Sequence, residues 1–323
     1  MQSFGVNSEG KAIYRFELSG GGLTAHVLTW GGVLQDLYLD GVPYSLVLGF
    51  ADLNRYLNSQ AYIGGNVGRF ANRIAQGRAK IAGQIYQFDR NFLGKHLLHG
   101  GSRGTDRQVW TVIAHTQSSL SLELSLADGQ MGFPGELTVI LHYRLLATAT
   151  LEVEFTATTT APTLCNFAHH SYFNLDGAGS IQNHQLQIHA DYYLPVDAEA
   201  IPTGEIATVD KTAFDFRKLQ PIHWQQSQYD HNFCTASVRQ MLRPVAYLQG
   251  QTGVSMRLAT TEPGLQLYDG QYLDGGYAAY AGLALEPQVW PDAPNHAHFP
   301  SAELEPGQVY RQLTQYSFSY RPV

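Results

Sequence analysis

Alternation of apolar and polar residues over long stretches is the feature that most constrains the fold of this chain. Residues 120–126, 137–145 and 151–157 each place an apolar side chain at every second position. Because successive side chains of a β-strand point to opposite faces of its sheet, this period predicts strands with one buried face. Glycine-containing turn sequences separate such runs, and only residues 51–57 indicate a helical turn or two.

Strands at short intervals, each with one apolar face, predict antiparallel sheets packed face to face. No linker, low-complexity tract or internal repeat divides the 323 residues. We therefore predict an all-β fold, with a single domain over residues 1–323 that forms a large antiparallel β-sandwich with few short helices. A curved sheet face of such a sandwich can hold a small molecule in a cleft.

Composition argues against several classes of partner. The net charge is −7 and no long run of like charge occurs, which disfavours nucleic acid and anionic membranes. The two cysteines form no disulfide framework and fit a reducing compartment. The chain starts without the basic and apolar regions of a signal peptide, and it has no apolar span long enough to cross a bilayer. We therefore expect a cytoplasmic protein.

Residues 282–292, with the sequence GLALEPQVWPD, combine an apolar strand with a carboxylate. Alternation places Glu286 on a face where only glycine and alanine precede it, which leaves space for a ligand. Because Pro287 cannot donate to a sheet ladder, we expect the strand to end at Glu286, with Trp290 close by. A carboxylate held against apolar walls has a raised pKa, which suits a general acid or base. The alternative is a solvated glutamate or one that pairs with an arginine.

Two further motifs place polar side chains in glycine-rich sequence. Asn72 and Arg73 follow GGNVGRFA, which lacks the Lys-Ser/Thr pair of a phosphate-binding loop and instead offers donors for sugar hydroxyls. Arg73 could equally pair with a nearby acid. His99 precedes a glycine pair that allows close backbone approach, and a single histidine of this kind is more often structural than catalytic.

The segment NFAHHSYFN contains adjacent histidines, which face opposite ways on a strand and make a poor pair of metal ligands. His170 shares a face with Tyr172, so His170 is a candidate acid–base residue beside a donor or stacking ring. None of the 13 histidines has a metal-ligand spacing such as HExxH, so we expect no metal. Asp230, in YDHNF, can accept two hydroxyl hydrogens or form a turn. Gln266 lies alone on the polar face of an alternating strand. This inventory fits a neutral polyhydroxyl ligand and proton transfer without a cofactor.

The order of these motifs resembles the galactose mutarotase, or aldose 1-epimerase, family. The resemblance spans essentially the whole chain and rests on GRxANRI, LHGG, HSYFN, DHNF, Gln266 and LExQxWPD. It implies a β-supersandwich that interconverts α- and β-anomers of D-galactose- or D-glucose-type aldohexoses without a cofactor. The implied partner is a small-molecule aldose, and a monomer and a homodimer both stay open.

By position, the resemblance implies that Glu286 is the general base on the anomeric hydroxyl and His170 the general acid on the ring oxygen. We expect the two groups on opposite sides of the sugar, where a base and an acid can carry out both proton transfers of ring opening in one pocket. His99 would donate a hydrogen bond near the ring oxygen. The residues implied to hold the hydroxyls or line the pocket are Asn72, Arg73, Tyr172, Asp230 and Gln266. The family usually has Asn before His170, whereas this chain has His169, which puts the substrate preference in doubt.

Two alternatives to an epimerase stay open at this stage. A non-catalytic sugar-binding sandwich would keep the hydroxyl-binding residues but has no need for both Glu286 and His170. A glycoside hydrolase would use Asp230 and Glu286 as a carboxylate pair. An epimerase for hexose 6-phosphates would require an additional basic cluster, and none lies near these motifs.

Overall fold

The computed structural model describes residues 1–222 and 227–322. Within these residues the regular structure is mainly β-strand, as the alternation predicts. The strands in the first half are β1 (Gln2–Val6), β2 (Ala12–Gly20), β3 (Leu23–Leu28), β4 (Leu34–Leu39), β5 (Asn66–Val67), β6 (Arg73–Ile74), β7 (Arg78–Ile81), β8 (Gln84–Gln87), β9 (Leu97–Leu98), β10 (Thr111–His115), β11 (Ser119–Leu126), β12 (Leu137–Leu146), β13 (Thr150–Thr159) and β14 (Thr163–Leu164). Those in the second half are β15 (Ala168–His169), β16 (Tyr172–Phe173), β17 (Gln185–Ile188), β18 (Tyr192–Tyr193), β19 (Ala207–Thr208), β20 (Gln220–Pro221), β21 (Asp230–Cys234), β22 (Arg243–Gln249), β23 (Val254–Thr260), β24 (Gly264–Tyr268), β25 (Leu283–Gln288), β26 (Glu303–Leu304) and β27 (Tyr310–Tyr320).

Helices in the described residues are short. The α-helix α1 (Leu53–Asn58) begins after Asp52, whose side chain accepts a hydrogen bond from the Arg55 amide at 3.1 Å. Such a cap satisfies an amide that the first helical turn leaves unpaired. This helix confirms the helical turn predicted for residues 51–57. Single 3₁₀ turns lie at Ala75–Gly77, Thr105–Arg107, Gln130–Gly132, Ile181–Asn183 and Ala293–Asn295.

The strands form antiparallel ladders throughout the described part of the chain. A nine-stranded sheet has the order β10-β11-β12-β13-β27-β23-β22-β17-β20. A six-stranded sheet has the order β16-β25-β24-β21-β18-β19, and a four-stranded sheet contains β1 to β4 in sequence. The remaining strands pair in twos, as β14-β26, β15-β5, β6-β9 and β7-β8.

Alternation in the sequence corresponds to burial in the sheets. In β12 every second residue is buried, from Leu137 through Leu145, and β11 shows the same period. The largest buried apolar cluster combines side chains from all three large sheets, for example Val27, Leu141 and Leu265. Burying a side chain of this size contributes about 1.5–3 kcal/mol, so this shared cluster is the main stabilisation of the fold.

The prediction that the strand ends at Glu286 is wrong, because β25 continues through Pro287 to Gln288. Pro287 lies opposite Leu265 on β24, and its carbonyl oxygen accepts a hydrogen bond from the Gln312 side chain at 2.9 Å. The nitrogen and the carbonyl of one strand residue point to the same side. The missing donor of Pro287 therefore faces away from the β24 ladder, where a proline is tolerated.

Strand register brings the polar candidates together. In the six-stranded sheet, Gln266 on β24 lies directly between Asn232 on β21 and Glu286 on β25. The pairing of β6 with β9 brings Asn72, just before β6, next to His99, just after β9. Within residues 1–222 and 227–322 no helix is long and apolar enough to span a bilayer.

Candidate active site

A cavity of about 370 Å³ opens beside the six-stranded sheet, within the size range of small-molecule sites. Seven of the eight candidate residues from the sequence line it. They are Asn72, Arg73, His99, His170, Tyr172, Asp230 and Glu286. The eighth, Gln266, contacts this group from one side but does not line the cavity.

Glu286 and His170 lie next to each other in the cavity wall. Both side chains are buried, and Oε1 of Glu286 lies 3.6 Å from Nε2 of His170. The second carboxylate oxygen, Oε2, has no hydrogen-bond partner among the described residues. Since no pyranose ring fits between atoms 3.6 Å apart, the expectation that the two groups lie on opposite sides of a sugar is wrong. They lie side by side, so they can contact two neighbouring oxygen atoms of one ligand.

Burial dominates the protonation of this pair. It raises the pKa of Glu286 well above its ordinary value, and the negative charge of Asp230 adds to this, while the Arg73 charge opposes it. Burial also lowers the pKa of His170 to about 4. Desolvation favours the neutral form of each group, so in the empty cavity a shared proton resides on the carboxyl group. The pair is therefore an acid and a base that exchange one proton.

His99 is fixed by reciprocal contacts with Asn72. The backbone N–H of Asn72 donates to Nδ1 of His99 at 3.1 Å, and the backbone N–H of His99 donates to the backbone carbonyl of Asn72 at 3.0 Å. Burial, together with the charges of His170 and Arg73, lowers the pKa of His99 well below its ordinary value, so the ring is neutral. Because Nδ1 accepts a hydrogen bond, Nε2 carries the hydrogen and acts as a donor.

The backbone at this corner depends on glycine. Gly100 has φ of +82°, and a Cβ there would lie 1.9 Å from the Gly68 carbonyl oxygen. Only glycine allows this approach of the two loops. His99 and Asn72 themselves have positive φ, at +51° and +64°. Such strained backbone is frequent at functional sites, where surrounding structure holds it in place.

His99, His170 and Glu286 present potential ligand atoms that all lie within 4.8 Å of one another. Two histidines and one carboxylate are a donor set used by transition metals. However, Nδ1 of His99 already accepts the Asn72 amide hydrogen, and Nε2 carries its own hydrogen. A metal at Nε2 would require the other tautomer and would leave the Asn72 amide unpaired, so the residues do not fit a resident metal.

Hydrogen-bonding groups for a polar ligand surround Asp230. Its Oδ2 accepts from Arg73 Nη2 at 2.8 Å, and its Oδ1 accepts from Gln266 Nε2 at 2.6 Å. Burial opposes ionisation, but the charge and hydrogen bonds of Arg73 and Gln266 bring the pKa of Asp230 below its usual value. The guanidinium of Arg73 also lies over the ring of Phe92, 4.8 Å from its centroid. Arg73 therefore both pairs with an acid and lines the cavity, so the two alternatives considered for it do not exclude each other.

Comparison with known proteins decides the family. Residues 14–317 match the model of the family described as aldose 1-epimerase. The chain belongs to the aldose 1-epimerase family. Galactose mutarotase from Mus musculus is 39% identical, with 97% of this chain and 96% of the mouse protein aligned. Aldose 1-epimerase from Escherichia coli K12 is 34% identical, with 92% of each chain aligned.

Solved structures agree with this assignment. An aldose epimerase homologue from C. elegans has a TM-score of 0.90 at 31% identity. The aligned region covers 96% of this chain and 99% of the C. elegans chain. Galactose 1-epimerase from Lactobacillus acidophilus has a TM-score of 0.86 at 28% identity, with 97% and 96% covered. These matches confirm the predicted family, the all-β mutarotase-like fold and the aldose 1-epimerase activity.

In this aldose 1-epimerase, the neighbouring histidines separate as strand alternation predicts. His170 lines the cavity, whereas His169 is buried in the protein interior. Nδ1 of His169 lies 3.1 Å from Asn66 Oδ1, and Nε2 lies 2.8 Å from Ser171 Oγ. Burial lowers the pKa of His169 to about 3, so it is a neutral residue of the polar interior.

Trp290 is not close to the cavity, contrary to the sequence-based expectation. Its indole packs against Phe299 at 5.0 Å and donates to the Pro263 carbonyl at 3.1 Å. The main-chain turn after β25 carries the indole into a separate apolar cluster. Residues 291–292 follow, and Asp292 stabilises the β6 end by accepting from the Ala75 amide at 2.9 Å.

Sequence reasoning missed several cavity-lining residues. The Tyr62 ring lies 4.5 Å from the His99 ring and 5.7 Å from the His170 ring. Tyr268 lines the cavity opposite Asp230 in the register, and Glu199 and Tyr272 lie on loops that border it. Strand alternation could have found Tyr268, which lies two residues after Gln266 on β24 and so shares its face. No spacing or composition signal marks Tyr62, Glu199 and Tyr272, because irregular loops bring them to the cavity.

Proposed function

We propose that this epimerase interconverts the α- and β-anomers of aldohexoses of the D-galactose and D-glucose type, with Glu286 and His170 as the acid–base pair. The observation that carries the proposal is the contact of 3.6 Å between these two buried groups inside a cavity of small-molecule size. Ring opening of a hemiacetal needs one proton removed at O1 and one delivered at O5. Both oxygens are bonded to C1, so two adjacent protein groups can serve them.

In the ring-opening direction, the Glu286 carboxylate removes the proton of the anomeric hydroxyl. Electrons from that O–H bond form the C1=O1 carbonyl, the C1–O5 bond breaks, and the protonated His170 delivers a proton to O5. His99, with its hydrogen on Nε2, donates a hydrogen bond to oxygen that gains negative charge in this step. No covalent intermediate with the protein forms.

In the closing direction, rotation about C1–C2 first presents the other face of the aldehyde. His170 then removes the proton of the O5 hydroxyl, O5 attacks C1, and the protonated Glu286 delivers a proton to O1. The pair thus returns to its starting state with the opposite anomer released. This direction begins from a protonated carboxyl and a neutral imidazole, which are the forms that burial favours.

Hydroxyl recognition falls to the polar group around Asp230. Asp230 is an ionised acceptor, and Arg73 and Asn72 provide donors and an amide beside it. Tyr172, whose ring lies 5.0 Å from the His170 ring, forms part of the wall. Gln266 acts on the sugar through its hydrogen bond to Asp230.

The glycoside hydrolase alternative does not agree with the environment of Asp230. A hydrolase could use Glu286, whose pKa is raised, as its protonated acid, and it would then need Asp230 as the nucleophile or the base. Both oxygens of Asp230 already accept hydrogen bonds from Arg73 and Gln266, and its lowered pKa makes it a weak base and a weak nucleophile. We therefore expect no release of reducing sugar from an aryl galactoside.

Polarimetry of freshly dissolved α-D-galactose tests the proposal. Purified protein should accelerate the decay of optical rotation above the spontaneous rate, in proportion to enzyme concentration. An unchanged rate with galactose, glucose, xylose and arabinose would refute it. The ranking of these four sugars gives the preferred substrate.

We also propose a cytoplasmic location and a monomer or homodimer as the working form. Supporting the first, Cys165 and Cys234 are both free thiols in the structure. Sedimentation of the purified protein measures the second.

A further inference from the structure

A second, much smaller cavity lies behind the Arg73–Asp230 pair. It shares Asn72, Arg73 and Asp230 with the catalytic cavity and adds Asn232 and Gln266. The rest of its wall is mainly apolar and comes from Leu194, Val196, Ala200, Pro202 and Pro291. Its volume is about 10 Å³. About 10–15 Å³ of space open to the centre of a water molecule is enough for one water.

Three polar atoms from this wall have no hydrogen-bond partner among the described residues. They are Nε of Arg73, Oε1 of Gln266 and Oδ1 of Asn232. The three residues are at most 9% exposed. Gln266 and Asn232 lie directly opposite each other on β24 and β21, so their side chains share one sheet face. Buried polar atoms without partners are rare in native proteins, and ordered water is their usual partner.

Orientation of the Gln266 amide is set independently of this cavity. Its Nε2 donates to Asp230 Oδ1 at 2.6 Å, which only the nitrogen can do, so Oε1 is an acceptor on the other side. Arg73 Nε is a donor and can never accept. The residues that line the cavity therefore carry one unpaired donor and two unpaired acceptors, which is a set of partners that a single water molecule can have.

We propose that a single water molecule bound in this cavity accepts from Arg73 Nε and donates to Gln266 Oε1 and Asn232 Oδ1. Asn232 is thereby a positioning residue: it touches no sugar but orients Arg73 through the water. The inference rests on the proposed function, because Arg73 and Asp230 are the groups that it orients.

The water completes a closed ring of hydrogen bonds around the hydroxyl-binding group. Arg73 is held at Nη2 by Asp230 at 2.8 Å, and Gln266 Nε2 holds the other oxygen of Asp230. The water joins the remaining atoms, Arg73 Nε and Gln266 Oε1. Together with the Phe92 ring and a long hydrogen bond of 3.4 Å from Arg73 Nη1 to Asn72 Oδ1, this link fixes the rotation of the guanidinium plane about the Arg73–Asp230 contact. Its loss should therefore weaken sugar binding more than proton transfer.

Two substitutions of Asn232 distinguish the effect of its acceptor oxygen from the effect of its side-chain size. Asn232→Leu keeps the side-chain size but removes the oxygen, whereas Asn232→Asp keeps both size and acceptor. We expect Asn232→Leu to raise KM about tenfold, the effect of leaving a buried polar group without its partner, with kcat changed less than about threefold. Asn232→Asp should raise KM less than Asn232→Leu does, because it keeps the acceptor, although it adds a carboxyl group near Asp230. Circular dichroism and thermal unfolding establish that both variants fold.

A high-resolution crystal structure of the wild-type protein gives the direct readout. An electron-density peak about 2.7–3.2 Å from all three atoms supports the proposal. An empty cavity, or side chains that close it, overturns it. So does a folded Asn232→Leu variant with unchanged KM, or equal impairment by Leu and Asp. Absence of wild-type epimerase activity would instead refute the proposed function, and the density would still decide the water site.

Discussion

Replacement of Glu286 by glutamine tests the proposed chemistry most sharply. The substitution keeps the size and shape of the side chain, so it opens no cavity in the buried wall. It removes only the ability to accept and return a proton. Oε1 lies 3.6 Å from Nε2 of His170, too far for a strong hydrogen bond, and Oε2 has no partner among the described residues, so little hydrogen bonding is lost.

Loss of general base catalysis at this position sets the expected magnitude. A positioned acid or base contributes about 10²–10⁴ in rate, equivalent to about 3–5 kcal/mol in the activation barrier. We expect kcat of Glu286→Gln to fall by this factor. KM should change less than about threefold, because Arg73 and Asp230, which we propose bind the hydroxyls, hydrogen-bond each other and not Glu286.

Polarimetry with α-D-galactose, corrected for the spontaneous rate, measures both constants. Glu152→Gln is the matched control: Glu152 is also a buried carboxylate, but it pairs with Arg144 at 2.7 Å on the nine-stranded sheet and does not line the cavity. A folded Glu286→Gln protein with kcat within threefold of wild type would refute the role of Glu286 as the base.

Three further predictions concern binding, pH and stability. Arg73→Ala should raise KM at least tenfold, because it removes a charged donor that we propose binds the sugar and leaves the partly buried Asp230 carboxylate without its cation; an unchanged KM in initial-rate polarimetry would contradict this assignment. The profile of kcat/KM against pH should fall on the acid side with an apparent pKa near 4, below the ordinary histidine value of about 6.5, because a second proton on the pair removes the base. An acid limb near 6.5 would show that burial does not control His170. His169→Asn should leave kcat unchanged and should reduce the loss of folding stability at acid pH. Because burial lowers the pKa of His169 in the folded protein to about 3, the unfolded chain binds one more proton than the folded protein as the pH falls below about 6.5. Between pH 8 and pH 5 this proton uptake lowers the free energy of unfolding of the wild-type protein by about 2 kcal/mol. The variant should not show this decrease, which urea unfolding at both pH values will measure.

Periodicity predicted the parts of this fold in which one sheet face is buried. Strand β12, with its strict alternation, follows the predicted residues almost to its ends, because a shift of one position would expose every apolar side chain. The same rule separated His169 from His170 and correctly left only the second in the cavity. In these cases the sequence contains the physical cause of the structure.

Loop geometry was beyond sequence reasoning. Tyr62 and His99 reach the cavity through backbone with φ of +55° and +51°, which propensity does not favour for such residues. The side-by-side arrangement of Glu286 and His170 depends on how β25 and the loop before β16 meet, a tertiary contact between residues 116 positions apart. Motif order identified the participants, but only the packing of the sheets sets the distance and direction between them.

The hydroxyl-binding group and the acid–base pair are electrically coupled. Asp230 raises the pKa of both Glu286 and His170, whereas Arg73 lowers that of Glu286. Ring opening requires an ionised carboxylate beside a protonated imidazole, and ring closure requires both in neutral form. Catalysis in both directions needs these two states close in free energy once sugar is bound. Arg73 favours the first state, and burial favours the second. Removal of Arg73 should therefore slow ring opening in addition to weakening binding, because it leaves the proton on the carboxyl group.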